Sequence, residues 1–308
     1  IVHRSKLIER LVKNGDIEYK VKVKKEPKPF SAVEWVTQHY PWPGTGTTPV
    51  FEMPFPEIDM SFIFLRGEDL QIGRGETISD TAKIISGFAS ALIVRTFAQT
   101  DVDELGAHAT IPVLNGLTDT DHPTQLLADW LTIREVFGSD ISGRKFTYVG
   151  DGNNMAHAWL TMGAIMGAHV VVATPTGKWA PDEAAIQSAR SIANKTGAKL
   201  EILTDPYEAV KDSSVVYTDV WMSMGDPEAE KAEKIRALAP FAVTDALMSQ
   251  TTKDSIFMHC LPAHRGEEVM ESVIDGPKSV IWREAFHRRT TIQSLLFHLT
   301  RGELKGSI

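Results

Sequence analysis

The stretch FMHCLPAHRGEE, residues 257–268, places His259, Cys260, His264, Arg265, Glu267 and Glu268 directly after a short apolar run. That pattern reads as a buried strand ending in a polar loop, and strand ends are where open α/β sheets bind ligands. Cys260 is the only cysteine in 308 residues, so it has no intrachain disulfide partner. It is either an inert core thiol or a working one, because free cysteine packs well in cores yet becomes reactive where its surroundings favour the thiolate.

Two further stretches could hold a small polar ligand. VGDGNNMAH, Val149 to His157, is a glycine turn between a strand and a helix, which aims backbone donors at an anion. It fits a dinucleotide poorly. The third glycine of GxGxxG falls at Met155, and the next strand, HVVVATP, ends without the acidic residue that would hold a ribose. Asn153 and Asn154 suit a small polar ligand, and Asn153 equally suits a turn that tolerates left-handed backbone. In TDVWMSMGDPEAE, Asp219 closes an apolar run, so its carboxylate needs a cationic partner or a ligand amine. Ser223, Met224 and Gly225 form a loop able to offer N–H groups to a carboxylate. An amine reader beside a carboxylate reader is what an amino acid requires; an acidic helix cap beside a mobile loop is the plainer alternative.

Positive and polar groups stand at element ends: Arg95, His122 with Gln125, and Arg288. Each could be a satisfied structural residue. Together they would make a pocket for a small dianion.

The elements that must position these groups alternate. RSKLIERLVK, residues 4–13, places Leu7, Ile8, Leu11 and Val12 on one helical face, with Asn14-Gly15 as a stop. IEYKVKVKK alternates as a strand, and a further strand is expected over Val33 to Tyr40. PWPGTGTTPVFEMPFPEIDM holds too many prolines for a long helix. From Asp69 the pattern is clean: a helix capped by Thr77 or Ser79, the strand ALIVRTF, a short helix, the strand IPVLNG, and a helix opened by His122 and Pro123. KFTYVG then restarts a strand–helix alternation that runs to SIFMHCLP, and SVIWREAFHRRTTIQSLLFHLTRG reads as a final strand and an amphipathic helix. Such alternation specifies parallel sheets covered on both faces. A chain of this length suggests two domains. The net charge of -8 argues against nucleic-acid or anionic-membrane partners. No apolar run is long enough for a membrane span, no leader pattern opens the chain, and a single cysteine suits a reducing, cytoplasmic setting.

From Asp69 onward the chain resembles the ornithine carbamoyltransferases. LQIGRGETISDTA, RTF, HPTQLLAD, VGDGNN, DVWMSMG, HCLPAHRG and the arginine of EAFHR occur in that family's order and approximate spacing. The resemblance implies an α/β fold of two doubly wound parallel-sheet domains. Residues 1–132 would bind carbamoyl phosphate and 133–283 ornithine, with a C-terminal helix, 284–308, packing back on the first domain. It implies a homotrimer with sites between subunits, no cofactor and no metal. Arg95, His122, Gln125 and Arg288 would hold carbamoyl phosphate, and Gln71 would reach a neighbour's site. Asn154, Asp219, Ser223 and Met224 would bind ornithine, with Cys260 and the Leu261 backbone beside the reacting groups. Arg95, His122, Cys260 and Arg288 would be catalytic. SMG together with HCLP favours ornithine over aspartate or putrescine as acceptor.

One loop departs from the family. Its phosphate loop reads Ser-Thr-Arg-Thr-Arg after a proline, whereas here Pro43 is followed by Gly44, Thr45, Gly46, Thr47 and Thr48. Thr45, Thr47 and backbone donors remain to cradle the phosphate. The departure is compatible with an altered carbamoyltransferase, a sister enzyme using another amine, or a non-catalytic relative that binds ligand. Its abruptness, with the residue count preserved, favours a true sequence that differs from the one written over residues 1–68.

Overall fold

The computed structural model describes residues 8–13, 16–21, 28–30, 50–55, 58–66, 76–138, 140–222 and 228–300. Contacts divide the chain into two compact units, Ile1–Thr118 with Leu296–Ile308, and Asp119–Leu295.

The first unit opens with a three-stranded antiparallel sheet, β1 (Ile8–Lys13), β2 (Asp16–Val21) and β3 (Lys28–Phe30). The helix expected over residues 4–13 is therefore corrected to a strand from Ile8 on. Lys13 pairs with Asp16, leaving Asn14-Gly15 between them, and that dipeptide favours a tight hairpin rather than a helix stop. The strand expected over Val33 to Tyr40 lies outside the described residues. A second sheet holds β4 (Val50–Phe55), β5 (Ile58–Arg66), β6 (Ala91–Arg95) and β7 (Val113–Leu117) in that order. Its edge pair β4–β5 is antiparallel and the others are parallel. Between its strands lie α1 (Ile78–Ser86) and α2 (Gln99–His108), and Thr77 caps α1 by accepting the Asp80 N–H at 3.1 Å. Ala82, Ile85, Leu92, Val94, Val102 and Leu105 form the core here.

The second unit carries α3 (Pro123–Phe137), β8 (Lys145–Val149), α4 (Asn154–Ile165), β9 (His169–Ala173), α5 (Glu183–Thr196), β10 (Lys199–Leu203), α6 (Pro206–Val210) and β11 (Val215–Thr218). There follow α7 (Lys231–Leu238), α8 (Asp245–Met248), β12 (Ile256–His259), α9 (Glu271–Ile274) and α10 (Ile281–Thr300), whose last turns group with the first unit. The five strands are all parallel in the order β10-β9-β8-β11-β12. Strands of this kind are apolar throughout because both faces are covered. Phe146, Tyr148, Trp159 and Tyr217 are completely buried around Trp130, and burial of an apolar side chain of such size contributes about 1.5–3 kcal/mol. The strand expected at SVI before α10 reduces to a single bridge, Phe257 to Ser279, because α10 claims the chain from Ile281. Among the described residues, no helix is long and apolar enough to cross a membrane.

Candidate active site

The order of the five-stranded sheet reverses at β8, since the chain adds β9 and β10 on one side and then returns to lay β11 and β12 on the other. The crevice beyond the strand ends at such a switch point is the favoured ligand site. Three of the singled-out sequences end there. After β8, Gly152 passes so close to the Ala180–Pro181 backbone that a Cβ would lie 2.2 Å from Pro181 N, so only glycine fits. Asn153 then caps α4, its Oδ1 accepting the N–H groups of Met155 at 2.9 Å and Ala156 at 3.4 Å. That leaves its Nδ2 to donate to Asp219 Oδ2 at 2.9 Å. Asn153 is thus both a turn residue and a positioning group. Asn154 begins α4 beside it.

Asp219 follows β11 and is buried. Its Oδ1 accepts the Val220 N–H at 2.7 Å and the Cys260 thiol at 2.9 Å. An ionised carboxylate offers about four lone-pair positions. Among the described residues, three donors hold this one, from Asn153, Val220 and Cys260. Burial, and next the charge of Asp219, push the Cys260 thiol well above its ordinary range, so Cys260 is a proton-bearing donor rather than a thiolate.

At the end of β12, His259 is buried and its tautomer is set by its neighbours. Nδ1 accepts the Leu261 N–H at 2.9 Å, so Nε2 carries the proton and donates to Glu268 Oε1 at 3.2 Å. Leu261 itself lies at φ +55, a left-handed backbone that costs a non-glycine residue about 1–3 kcal/mol and concentrates at functional sites. The donor atoms of His264, Glu267 and Glu268 lie within 4.8 Å of one another in the loop beyond. Glu268 is already engaged there by the His259 ring and the His264 N–H.

The second grouping joins α3 to α10. His122 precedes α3, with Pro123 in its first turn, and is buried with Nδ1 3.5 Å from Thr124 Oγ1. Burial raises the adjoining Asp121 carboxyl to about 6, against the pull of the His122 N–H that it accepts at 2.7 Å. Gln125, in the first turn of α3, donates from Nε2 to Asp129 Oδ1 at 2.8 Å and to Glu284 Oε1 at 3.0 Å. Its Oε1 accepts Arg288 Nη1 from α10. The start of a helix beside a guanidinium is suited to an anion.

In the first unit, Arg95 ends β6 at a break in register: Val94 pairs with Asn115 and Arg95 with Leu117, so Gly116 is skipped. A Cβ on Gly116 would come within 2.9 Å of Val94 O, which explains glycine at the bulge. Bulges re-aim the side chains beside them. The following turn is tied down by Thr96, whose Oγ1 donates to Asp101 at 3.3 Å.

Residues 4–135 match the family model for the carbamoyl-P binding domain of aspartate/ornithine carbamoyltransferase, and residues 142–299 match that for its Asp/Orn binding domain. The chain belongs to the aspartate/ornithine carbamoyltransferase family. It is 51% identical over 257 residues to the ornithine carbamoyltransferase of Anoxybacillus flavithermus, covering 83% of this chain and 81% of that protein. To the anabolic ornithine carbamoyltransferase of Pyrococcus furiosus it is 46% identical over 263 residues, or 85% of this chain and 82% of the relative. The solved structure of ornithine carbamoyltransferase from Pyrococcus furiosus superposes with a TM-score of 0.71 at 49% identity, covering 77% of this chain and 75% of the other.

Within this carbamoyltransferase the structure brings together Asn153, Asp219 and Cys260, and separately Gln125 and Arg288, with His122 immediately before the helix that carries Gln125. Thr45, Thr47, Gln71, Ser223 and Met224 lie outside the described residues. Asp129 and Glu284 are not among the residues singled out from the sequence, and Glu268 is named there without a role. A signal existed for the first two: Asp129 stands four residues after Gln125, and Glu284 four before Arg288, the spacing at which helical side chains meet.

Proposed function

We propose that the protein is an ornithine carbamoyltransferase that converts carbamoyl phosphate and L-ornithine to L-citrulline and phosphate. The observation that carries this reading is the buried Asp219 carboxylate, aimed by Asn153 and Cys260 at the switch point, where a carboxylate suits an amine. In this reading residues 133–283 take ornithine through Asn154, Asp219, Ser223, Met224 and Cys260. Residues 1–132 take carbamoyl phosphate, with Thr45, Thr47, Gln71, Arg95, His122 and Gln125, joined by Leu261 and by Arg288 of the terminal helix, 284–308.

The reacting δ-amine must be neutral, against about 10.4 for an ordinary alkyl ammonium, and a desolvated site beside cations favours that form. Its nitrogen bonds to the carbamoyl carbon, the carbon–oxygen bond to phosphate breaks, and the proton shed by the amine balances the charge of the departing phosphate. Arg95, His122 and Arg288 stabilise the oxyanion and the leaving group, and alignment of two bound reactants supplies much of the remaining rate. A homotrimeric assembly in the cytoplasm and a place in arginine biosynthesis complete the reading; the name anabolic borne by the Pyrococcus furiosus relative supports the last.

Citrulline assayed colorimetrically against ornithine, putrescine and aspartate tests it. Ornithine-dependent citrulline is the expected product. Carbamoylation of putrescine or aspartate in preference to ornithine would overturn the assignment.

A further inference from the structure

Gln125 and Arg288 each stand one helical turn from a buried carboxyl, Gln125 from Asp129 on α3 and Arg288 from Glu284 on α10. The two pairs interlock. Gln125 Nε2 bridges Asp129 Oδ1 and Glu284 Oε1, while Gln125 Oε1 accepts Arg288 Nη1. Glu284 Oε2 accepts the His259 N–H at 3.0 Å, which ties the same cluster to the end of β12. Both carboxyls have no exposed surface.

Two buried carboxylates beside one guanidinium carry one negative charge too many, and carboxyls that share a site keep a proton between them. Burial raises Asp129 to about 7, and burial reinforced by the Asp129 charge raises Glu284 well above the carboxylate range. The groups that face the pair are the Gln125 amide, the Arg288 guanidinium, the Tyr217 phenol, the Cys260 thiol and the His259 N–H. Arg288 is the cation among them.

We propose that Asp129 and Glu284 are positioning residues that share one proton and thereby hold Gln125 and Arg288 in place for carbamoyl phosphate. The proposal rests on reading these two residues as part of the carbamoyl phosphate site. With one proton, the two carboxyls and Arg288 are together neutral. Loss of that proton leaves a buried negative charge beside a site that must accept a dianion, so affinity falls on the alkaline side. Asp129→Asn keeps the acceptor for Gln125 and leaves Glu284 as the single charge opposite Arg288. Asp129→Ala removes the acceptor.

The test is calorimetric titration of the full chain with phosphonoacetamide, a stable isostere of carbamoyl phosphate, from about pH 6.5 to about pH 9.5. Asp129→Asn should bind within about threefold of the unsubstituted protein near neutrality and lose its alkaline weakening; Asp129→Ala should bind about tenfold more weakly than Asp129→Asn at every pH. Equal pH slopes in the unsubstituted protein and Asp129→Asn would overturn the proposal. If neither variant folds, the unsubstituted protein decides: near pH 9, in two buffers of different ionisation enthalpy, binding should take up a substantial fraction of about one proton. No uptake overturns the proposal. Binding with these features but without citrulline formation would sink the enzymatic reading and support this one, while no binding at any pH would overturn both.

Discussion

The Cys260 thiol donates to the Asp219 carboxylate, Sγ to Oδ1 2.9 Å apart. These residues end neighbouring parallel strands, β12 and β11, and the third donor, Asn153, comes from the turn after β8 on the other side of β11. The single cysteine is thus a hydrogen-bond donor at the strand ends. It helps to aim a carboxylate.

Cys260→Ala should raise the KM for ornithine by about tenfold or more, because a hydrogen bond to a charged group contributes about 1.5–3 kcal/mol. Cys260→Ser, which keeps a donor, should recover most of the loss. Steady-state kinetics beside melting curves check this. Unchanged ornithine kinetics with a lower Tm would return the thiol to a packing role.

Lys234 and Asp151 form a buried ion pair, Nζ to Oδ2 2.7 Å, with side chains 4% and 7% exposed. It fastens α7 to the glycine turn after β8. Removal of one partner of a buried ion pair typically costs about 3–5 kcal/mol. Lys234→Met should lower stability by about that amount in a urea titration, and Asp151→Asn in the same chain should restore part of it. Equal stability of the single variant and the parent would mean that the pair is idle.

Stability should also depend on pH through Asp129. Its folded-state value, about 7, lies above the unfolded reference of 3.8, so the favourable contribution of the neutral carboxyl is complete below about 3.8 and is lost as pH rises through about 7. Asp129→Asn cannot ionise. Its Tm relative to the parent should therefore rise steadily between about pH 4 and about pH 7 and level off above. A constant difference across that range would show that Asp129 ionises as freely folded as unfolded.

The loop from Gly44 to Thr48 keeps the family's two threonines, at Thr45 and Thr47, and has Gly46 and Thr48 where the family carries arginines. Peptide mass spectrometry across this loop distinguishes GTGTT from Ser-Thr-Arg-Thr-Arg in the purified protein. Where GTGTT stands, Gly46→Arg with Thr48→Arg should raise kcat/KM about a hundredfold, since loss of one preorganised donor costs about 2.7–4 kcal/mol. No gain would mean that the remaining cations suffice.

Much of the architecture was legible locally. Thr77 as a cap, Pro123 in the first turn of α3, and the alternation of apolar strands with helices all follow from patterns a few residues long. The exceptions have the same origin. IERLVK has apolar spacing compatible with a helix, and its pairing with Asp16–Val21 decided for a strand. SVI has strand composition, but the chain is taken into α10 before it can pair beyond Ser279.

By itself, the sequence determined the residue types at the ends of the strands and helices, and with them the family, because motif order and periodicity are properties of neighbours along the chain. Which groups meet was decided by the tertiary structure. Asp219 and Cys260 are 41 positions apart, and Gln125 and Glu284 are 159 apart. No local period encodes such contacts. They arise because a reversal of strand order brings two strand ends together, and because burial, which no single position reveals, makes two carboxyls hold a proton and a thiol keep one.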